Sequence, residues 1–223
     1  MIFFNKYKAC KSVNMDIIDM YRKRDALMKA LREGNTPKIE KLLESGLDPN
    51  FKDGSNRNVS WSPLSRANNK EVAKLLLDHD ADPNFKFDEG GDALYWTAIG
   101  YGPEDSEILE TLLEYKADPN HQSKYGYTAL HAASRNSKLD NVRVLLRYGA
   151  DPRIRTCCGQ TPRNATRNTE IKKLLTKDLD FCDLTVGELK DVAREKKLKG
   201  WSRLKKADLI DFLEETLLSQ NNV

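Results

Sequence analysis

The side chains that could carry chemistry are few and far apart in the sequence. His79, His121 and His131 are the three histidines, and none has a cysteine or second histidine at a spacing used by catalytic triads or metal sites. No glycine-rich phosphate-binding motif is present either. The sequence therefore predicts a protein that is not an enzyme and holds no cofactor or metal.

The cysteines give no sign of a disulfide or zinc framework. They are Cys10, Cys157, Cys158 and Cys182. Adjacent cysteines do not easily bridge each other, and C-x-x-C spacing is absent. We therefore predict four reduced thiols.

Composition and charge narrow the class of protein. Charged residues make up 32% and hydrophobic residues 39% of the 223 residues, so a core can form beneath a heavily charged surface. No window approaches the ~20 apolar residues of a membrane helix, and residues 1–8 place their apolar side chains before the lysines, unlike a secretory signal. We expect a monomer in the cytoplasm or nucleus, without membrane contact.

Four copies of one phrase recur along the chain. It reads Leu/Ala-Asp-Pro-Asn/Arg, and its aspartates, Asp48, Asp82, Asp118 and Asp151, are 34, 36 and 33 residues apart. A leucine pair precedes each aspartate at a fixed offset. A second phrase follows each one and is most complete at residues 128–133, Thr-Ala-Leu-His-Ala-Ala. Such a period indicates a stack of repeated supersecondary units.

Each unit predicts two helices and a projecting loop. A Thr or Ser caps the first helix, often with Pro at its first position, and the leucine pair lies on the buried stripe of the second. Gly46 and Gly149 stand where the chain leaves that helix with positive φ, and Asp80 and Lys116 occupy the same place in the middle units. The following Asp-Pro pair favours an extended exit.

This pattern resembles the ankyrin repeat, which has a period near 33 residues and the signature T-P-L-H-x-A. The resemblance covers residues 24–178, is best at 124–150, and implies an all-α solenoid of helix-turn-helix units with projecting loops. We divide it into five units, 24–50, 51–84, 85–120, 121–153 and 154–178. Residues 1–23 form an N-terminal extension, in which residues 16–20 predict a short helix covering the first unit.

Two kinds of departure from the repeat stand out. Arg163 replaces the signature leucine in the last unit, and we expect a polar outer face there, as in terminal repeats. Residues 54–61 lengthen one loop, and residues 100–103 are inserted between two helices. Insertions in solenoids map to loops, often on the binding face.

The resemblance implies that an unidentified protein partner binds at the loop tips, called fingers below, and on the inner helices. Exposed Tyr, Trp and Arg often dominate binding energy. The predicted protein-binding residues are Trp61, Lys86, Phe87, Asp88, Glu89, Gln122, Lys124, Tyr125, Tyr127, Arg135 and Asn136. An alternative for Trp61 is that it covers the junction between finger and helix, and we expect Trp96 to pack. His131 stands where the family uses histidine to bond neighbouring loops.

A different pattern follows a linker at residues 179–183. Residues 184–219 predict a helical hairpin in which Thr185 and Glu188 form a capping box, Gly200 breaks the first helix and Ser202 caps the second. This segment resembles the SAP motif and the N-terminal module of Rho-type transcription terminators. The shared stretches are Leu184-Thr185-Val186, Glu188-Leu189-Lys190, Gly200-Trp201-Ser202 and Lys205-Lys206 before Asp208-Leu209-Ile210.

That second resemblance implies association with DNA or RNA. The predicted nucleic-acid-binding residues are Lys199, Trp201, Arg203, Lys205 and Lys206, around a helix N-terminus that attracts phosphate. Trp201 could stack on a base, but we favour packing between the two helices. Acidic residues along the second helix oppose phosphate binding, so a plain capping or protein-docking hairpin remains an alternative.

Together these features predict an adaptor. Its ankyrin repeats hold a protein, and its hairpin contacts DNA, RNA or a second protein. Two alternatives stay open. One is a ubiquitin-ligase substrate adaptor of the type found in large DNA viruses and endosymbionts, and the other is a purely structural repeat protein whose hairpin seals the stack.

Overall fold

A computed structural model shows helices arranged in two adjacent rows. It describes residues 3–53, 61–86, 91–100, 102, 105–175 and 186–221. Across these ranges there is no β-strand, and the single bridge joins Asp53 to Trp61. Within the same ranges, no helix has the long apolar stretch that crossing a bilayer requires.

The helices follow the predicted units. Their bounds are α1 Phe3–Glu33, α2 Thr36–Glu44, α3 Lys70–Asp78, α4 Ala93–Ile99, α5 Asp105–Glu114, α6 Ala129–Arg135, α7 Leu139–Arg147, α8 Pro162–Ala165, α9 Thr169–Leu174, α10 Val186–Glu195 and α11 Lys206–Asn221. A 3-10 turn at Leu64–Arg66 replaces the first helix of the second unit. The first helices pack in one row (the C-terminal part of α1, the 3-10 turn, α4, α6 and α8). The second helices pack beside them in another row (α2, α3, α5, α7 and α9). The fold is therefore an all-α repeat solenoid.

One long helix replaces the short N-terminal helix that the sequence predicts. α1 has 31 residues and continues from the extension into the first unit. No glycine or proline interrupts it before Gly34, whose φ of 67° allows the chain to turn. The C-terminal part of α1 buries Leu27 and Leu31 in the core, whereas Tyr21 is exposed.

The predicted local signals are confirmed at the repeat boundaries. The side chain of Thr128 accepts a hydrogen bond from the backbone N–H of His131 and caps α6. Asp80 and Lys116 adopt φ values of 62° and 69°, in the left-handed region that glycine occupies more readily. Gly149, at the same place one repeat later, has a φ of 84°.

Asparagine side chains join each finger to the next one through hydrogen bonds. The amide of Asn50 donates to the Asp80 carbonyl at 2.8 Å, and its oxygen accepts from the Asp82 N–H at 2.7 Å. The same two bonds recur one repeat later at Asn84 and again at Asn120. Neighbouring fingers are therefore held in a constant register.

Arg163 contradicts the expectation of a polar outer face. Its side chain is completely buried in α8, and its guanidinium lies 4.0 Å from the Asp191 carboxylate on α10. The reason is geometric, because Arg163 occupies the helical position where the signature leucine points into the core. The long side chain then carries its charge toward the hairpin.

The C-terminal hairpin has a small core of its own. It is formed by Leu189, Val192, Ala193, Leu209 and Leu213. The predicted ends of its helices need correction. α10 ends before Gly200, because Lys197 already turns the chain with a φ of 55°, and α11 begins at Lys206, so Ser202 lies in the turn and does not cap it. Thr185 and the side chain of Glu188 lie outside the described residues.

Candidate functional site

The fourth finger, residues 121–127, has a rigid tip. Within it, the Ser123 N–H donates to the Tyr127 carbonyl at 2.9 Å, and the Gly126 N–H donates to the Ser123 carbonyl at 2.8 Å. The next finger adds a bond from the Cys157 N–H to the Tyr125 carbonyl at 3.0 Å. Gly126 has a φ of 78°, and a Cβ atom there would lie 2.9 Å from the backbone of Cys157. The tip is thus fixed by both conformation and contact.

Three predicted binding residues have exposed side chains at this tip. Tyr125 has 60% of its surface exposed, and Lys124 and Gln122 beside it are also exposed. The Gln122 amide is used within the protein, since it donates to the carbonyls of Gly126 and Arg155 at 3.1 and 3.2 Å. Tyr125 is therefore a large aromatic ring presented to solvent on a backbone that cannot easily move.

Tyr127 and His131 pack against each other at the base of the finger. The half-buried Tyr127 ring meets the His131 ring edge-on, with centroids 5.7 Å apart. His131 is fully buried, with Nδ1 2.9 Å from the Thr128 hydroxyl and Nε2 2.9 Å from the Gln160 carbonyl. Burial lowers the pKa of His131, while the Gln160 carbonyl partly opposes that shift. The predicted role of His131 in joining neighbouring loops is confirmed.

Trp61 lies at the junction between its finger and the first-helix row. Its ring centroid is 4.5 Å from that of Trp96, and the Arg66 guanidinium lies 4.4 Å from its centre. Trp61 is half-buried. This packing favours the alternative reading of Trp61 as a junction residue, and Trp96 packs as the sequence predicts.

The remaining predicted binding residues lie at two separate places. Lys86 is exposed at the preceding finger, and Arg135 and Asn136 are exposed at the end of α6. Asn136 also donates its amide to the Ala132 carbonyl at 2.9 Å. Phe87, Asp88 and Glu89 lie outside the described residues.

An ion pair that the sequence analysis missed holds the fourth finger to α4. Asp92 caps α4 by accepting from the Tyr95 N–H at 2.9 Å, and its second oxygen lies 3.0 Å from His121 Nδ1. The adjacent Asp92 carboxylate raises the pKa of His121, although burial and the charge of Lys86 oppose the shift. The capping role of Asp92 could have been predicted from the sequence, because Asp92 stands where other units carry the Thr or Ser cap. Its histidine partner, 29 residues away, had no signal in the sequence.

The hairpin presents a basic turn. Four of the five predicted nucleic-acid-binding residues are exposed there, namely Lys199, Arg203, Lys205 and Lys206. Trp201 is half-buried in the hairpin core, and its Nε1–H donates to the Leu198 carbonyl at 2.8 Å. Packing of Trp201 between the helices, the favoured alternative, agrees with these contacts.

The described ranges contain no candidate metal-binding cluster. No cluster of three or more His, Cys, Asp or Glu side chains is positioned to hold a metal there. Cys157 and Cys158 are exposed free thiols. Cys182 and the side chain of Cys10 lie outside the described residues.

Comparison with known families agrees with the repeat geometry. Residues 64–156 match the family model described as ankyrin repeats (3 copies). The chain contains ankyrin repeats. Proteins built on these repeats are typically non-enzymatic, and binding other proteins is the role that they support.

Several curated proteins are similar to this chain. Bovine mitochondrial disaggregase is 34% identical over 155 residues, which cover 67% of this chain and 22% of that protein. Human SH3 and multiple ankyrin repeat domains protein 2 is 31% identical over 159 residues, covering 70% of this chain and 8% of that protein. The Arabidopsis thaliana protein LHCP TRANSLOCATION DEFECT is 34% identical over 76 residues, covering 34% of this chain and 38% of that protein. The similarity thus spans well under half of each relative.

Proposed function

We propose that the chain is a non-enzymatic adaptor that binds a protein through its fingers and a nucleic acid through its hairpin. The observation that carries the first part is Tyr125, which is 60% exposed on a finger tip fixed by backbone hydrogen bonds. Exposed Tyr rings commonly contribute a large share of binding energy. A rigid tip also lowers the entropy lost on association.

A pair of matched tyrosine variants tests this role. Tyr125→Ala in the full chain should lose bound protein about tenfold or more in quantitative affinity purification from cells, since a hot-spot truncation costs about 2 kcal/mol or more. Tyr21→Ala is the control, because Tyr21 is 58% exposed but belongs to α1 and not to a finger. Equal recovery of the same proteins with both variants would refute the finger face as the binding surface.

The nucleic-acid role rests on the basic turn of the hairpin. Lys205 and Lys206 stand at the start of α11, and Lys199 and Arg203 are exposed in the preceding turn. Free N–H groups at a helix start and nearby cations both favour phosphate. Asp208 and Asp211, exposed further along α11, work against it.

A charge-reversal experiment tests this second role. The full chain should retard a 30-nucleotide DNA or RNA, and added salt should weaken the complex. Changing Lys199, Arg203, Lys205 and Lys206 together to Glu should abolish the shift. The matched control reverses four exposed lysines on second helices, Lys38, Lys41, Lys74 and Lys173. Retention of binding by the hairpin variant would exclude this turn as the contact site.

A sealing role for the hairpin is a second candidate. It is favoured by the contact between Arg163, buried in the last described repeat, and Asp191 of α10. A hairpin that only seals the stack would stabilise it without retarding nucleic acid, so the two roles separate in the experiment above.

A further inference from the structure

The fifth finger, residues 154–160, has the same tip conformation as the fourth. The Gly159 N–H donates to the Thr156 carbonyl at 2.8 Å, and the Thr156 N–H donates to the Gln160 carbonyl at 2.9 Å. Both bonds have counterparts one repeat earlier, at the tip of the fourth finger. Gly159 has a φ of 74°, close to the 78° of Gly126 at the corresponding place. The two tips are therefore built on one type of turn.

This turn presents two adjacent thiols to solvent. Cys157 and Cys158 are both exposed free cysteines at its two tip positions. Lys124 and Tyr125 hold the same positions in the fourth finger. A disulfide between the two cysteines is disfavoured, because bridged cysteines usually have Cα atoms about 4.4–6.8 Å apart, whereas adjacent Cα atoms are about 3.8 Å apart. The pair is therefore available for exchange with an external disulfide.

Cys157 lies directly against the tip that carries Tyr125. Its backbone N–H donates to the Tyr125 carbonyl at 3.0 Å, and its Sγ lies 3.8 Å from the Lys124 carbonyl oxygen. The Tyr125 side chain is 60% exposed. A tripeptide such as glutathione is about 10 Å long when extended, at about 3.3 Å per residue. A group of that size joined to the Cys157 sulfur would therefore reach across the fourth fingertip.

We propose that Cys157 and Cys158 form a modification site, at which exchange with a low-molecular-weight disulfide such as oxidised glutathione adds a group that blocks protein binding at Tyr125. In the exchange, a cysteine thiolate attacks one sulfur of the disulfide. The external S–S bond breaks and a mixed disulfide bond forms, so the cysteine is oxidised. The second glutathione leaves as a thiolate, which is reduced and takes up the proton that the cysteine lost. This inference rests on the proposed adaptor function and concerns the regulation of its finger face.

Peptide mass mapping of the full chain tests the modification itself. After incubation of the reduced protein with oxidised glutathione, the adduct should be found on Cys157 or Cys158, and dithiothreitol should remove it. The matched control is the double variant Cys157→Ser with Cys158→Ser, which keeps Cys10 and Cys182. Absence of the adduct from the tip of the fifth finger would overturn the inference.

NMR spectroscopy tests whether the added group contacts the fourth finger. The Tyr125 ring signals are identified by their loss in Tyr125→Phe. They should shift when glutathione is attached to Cys158→Ser, which keeps Cys157, and should shift less for Cys157→Ser. The reason is that Cys157 carries the sulfur beside the Lys124 carbonyl. Ring signals that stay in place in both modified variants would contradict a block at Tyr125.

Quantitative affinity purification tests the effect on protein binding. The glutathione-modified chain should recover about tenfold less of the proteins that Tyr125→Ala loses, since both changes remove the same contact. Dithiothreitol should restore the recovery. The double serine variant, treated with oxidised glutathione in the same way, should retain these proteins, and circular dichroism should show that it is folded. An equal loss in the double serine variant would assign the effect to other cysteines and overturn the inference.

Failure of the inference is distinguishable from failure of the adaptor function. If Tyr125→Ala loses cellular partners but the glutathione-modified chain retains them, the adaptor function stands and the regulatory site is wrong. If Tyr125→Ala retains every partner, the finger face is wrong and the proposed block at Tyr125 falls with it.

Discussion

The guanidinium of Arg163, fully buried in α8, lies 4.0 Å from the carboxylate of Asp191 on α10. Removing a charge from water is costly unless an opposite charge and hydrogen bonds accompany it. Here a carboxylate from the hairpin approaches a cation in the last described repeat. The replacement of a signature leucine by arginine therefore links the stability of the stack to the hairpin.

A double-mutant cycle tests this link in the full chain. Asp191→Asn should lower the free energy of unfolding by about 1–2 kcal/mol, less than for a fully enclosed pair because Asp191 keeps 33% of its side chain exposed. In an Arg163→Leu background the same change should cost under ~0.5 kcal/mol, because the buried charge is gone. Urea unfolding measures the cost of Asp191→Asn in both backgrounds. The control is Asp208→Asn, since Asp208 is exposed on α11. Equal costs in the two backgrounds would contradict the link.

The ion pair between His121 and Asp92 predicts a pH-dependent contribution to stability. The folded state raises the pKa of His121, so protonation favours folding. This stabilisation is complete below the ordinary pKa of about 6.5 and is lost as pH rises through the higher folded value. His121→Gln should therefore cost about 1 kcal/mol near pH 5.5 and clearly less near pH 8.5. A cost for His121→Gln that does not vary with pH would be evidence against the pair.

The asparagine bonds between fingers should contribute measurably to stability. Asn84→Ala removes the donor to the Lys116 carbonyl and the acceptor for the Asp118 N–H, each at 2.8–2.9 Å. The expected loss is about 1–3 kcal/mol, since both partner groups lose a bond. Asn136→Ala is the comparison, because Asn136 bonds within its own helix and is exposed. Urea midpoints that do not distinguish the two variants would argue against a role for these bonds.

Glycine substitutions separate conformational strain from steric contact. Gly126→Ala places a Cβ 2.9 Å from the backbone of Cys157 at a φ of 78°, whereas Gly149→Ala has a φ of 84° with nothing within 4 Å. Gly149→Ala should cost about 1 kcal/mol for its backbone alone. Gly126→Ala should cost more, because the backbone at Cys157 in the next finger must also shift. Thermal unfolding of the two variants shows which substitution costs more stability. Gly126→Ala should also weaken partner binding by moving Tyr125, and an equal cost at both sites would show that the two fingers are not tightly packed.

Much of the fold is predictable from the sequence because its signals are local. The cap at Thr128, the left-handed residues Asp80 and Lys116, and the buried leucine pairs each depend on neighbours within a few positions. The repeat period then places these elements in order. By contrast, the predicted break at Gly200 was wrong, because Lys197 turned the chain first.

The sequence by itself determined the helical units, their caps and the exposed Tyr125 finger, because helix propensity, proline geometry and hydrophobic period act over short stretches of chain. Only the tertiary structure decided that Arg163 is buried, that Trp61 covers Trp96 and that His121 pairs with Asp92. Trp61 with Trp96 and His121 with Asp92 are residues about one repeat apart in the sequence, so their contact depends on how the units stack. Stacking places side chains from different units within a few ångströms of each other, and neither local propensity nor the repeat pattern specifies which side chains meet.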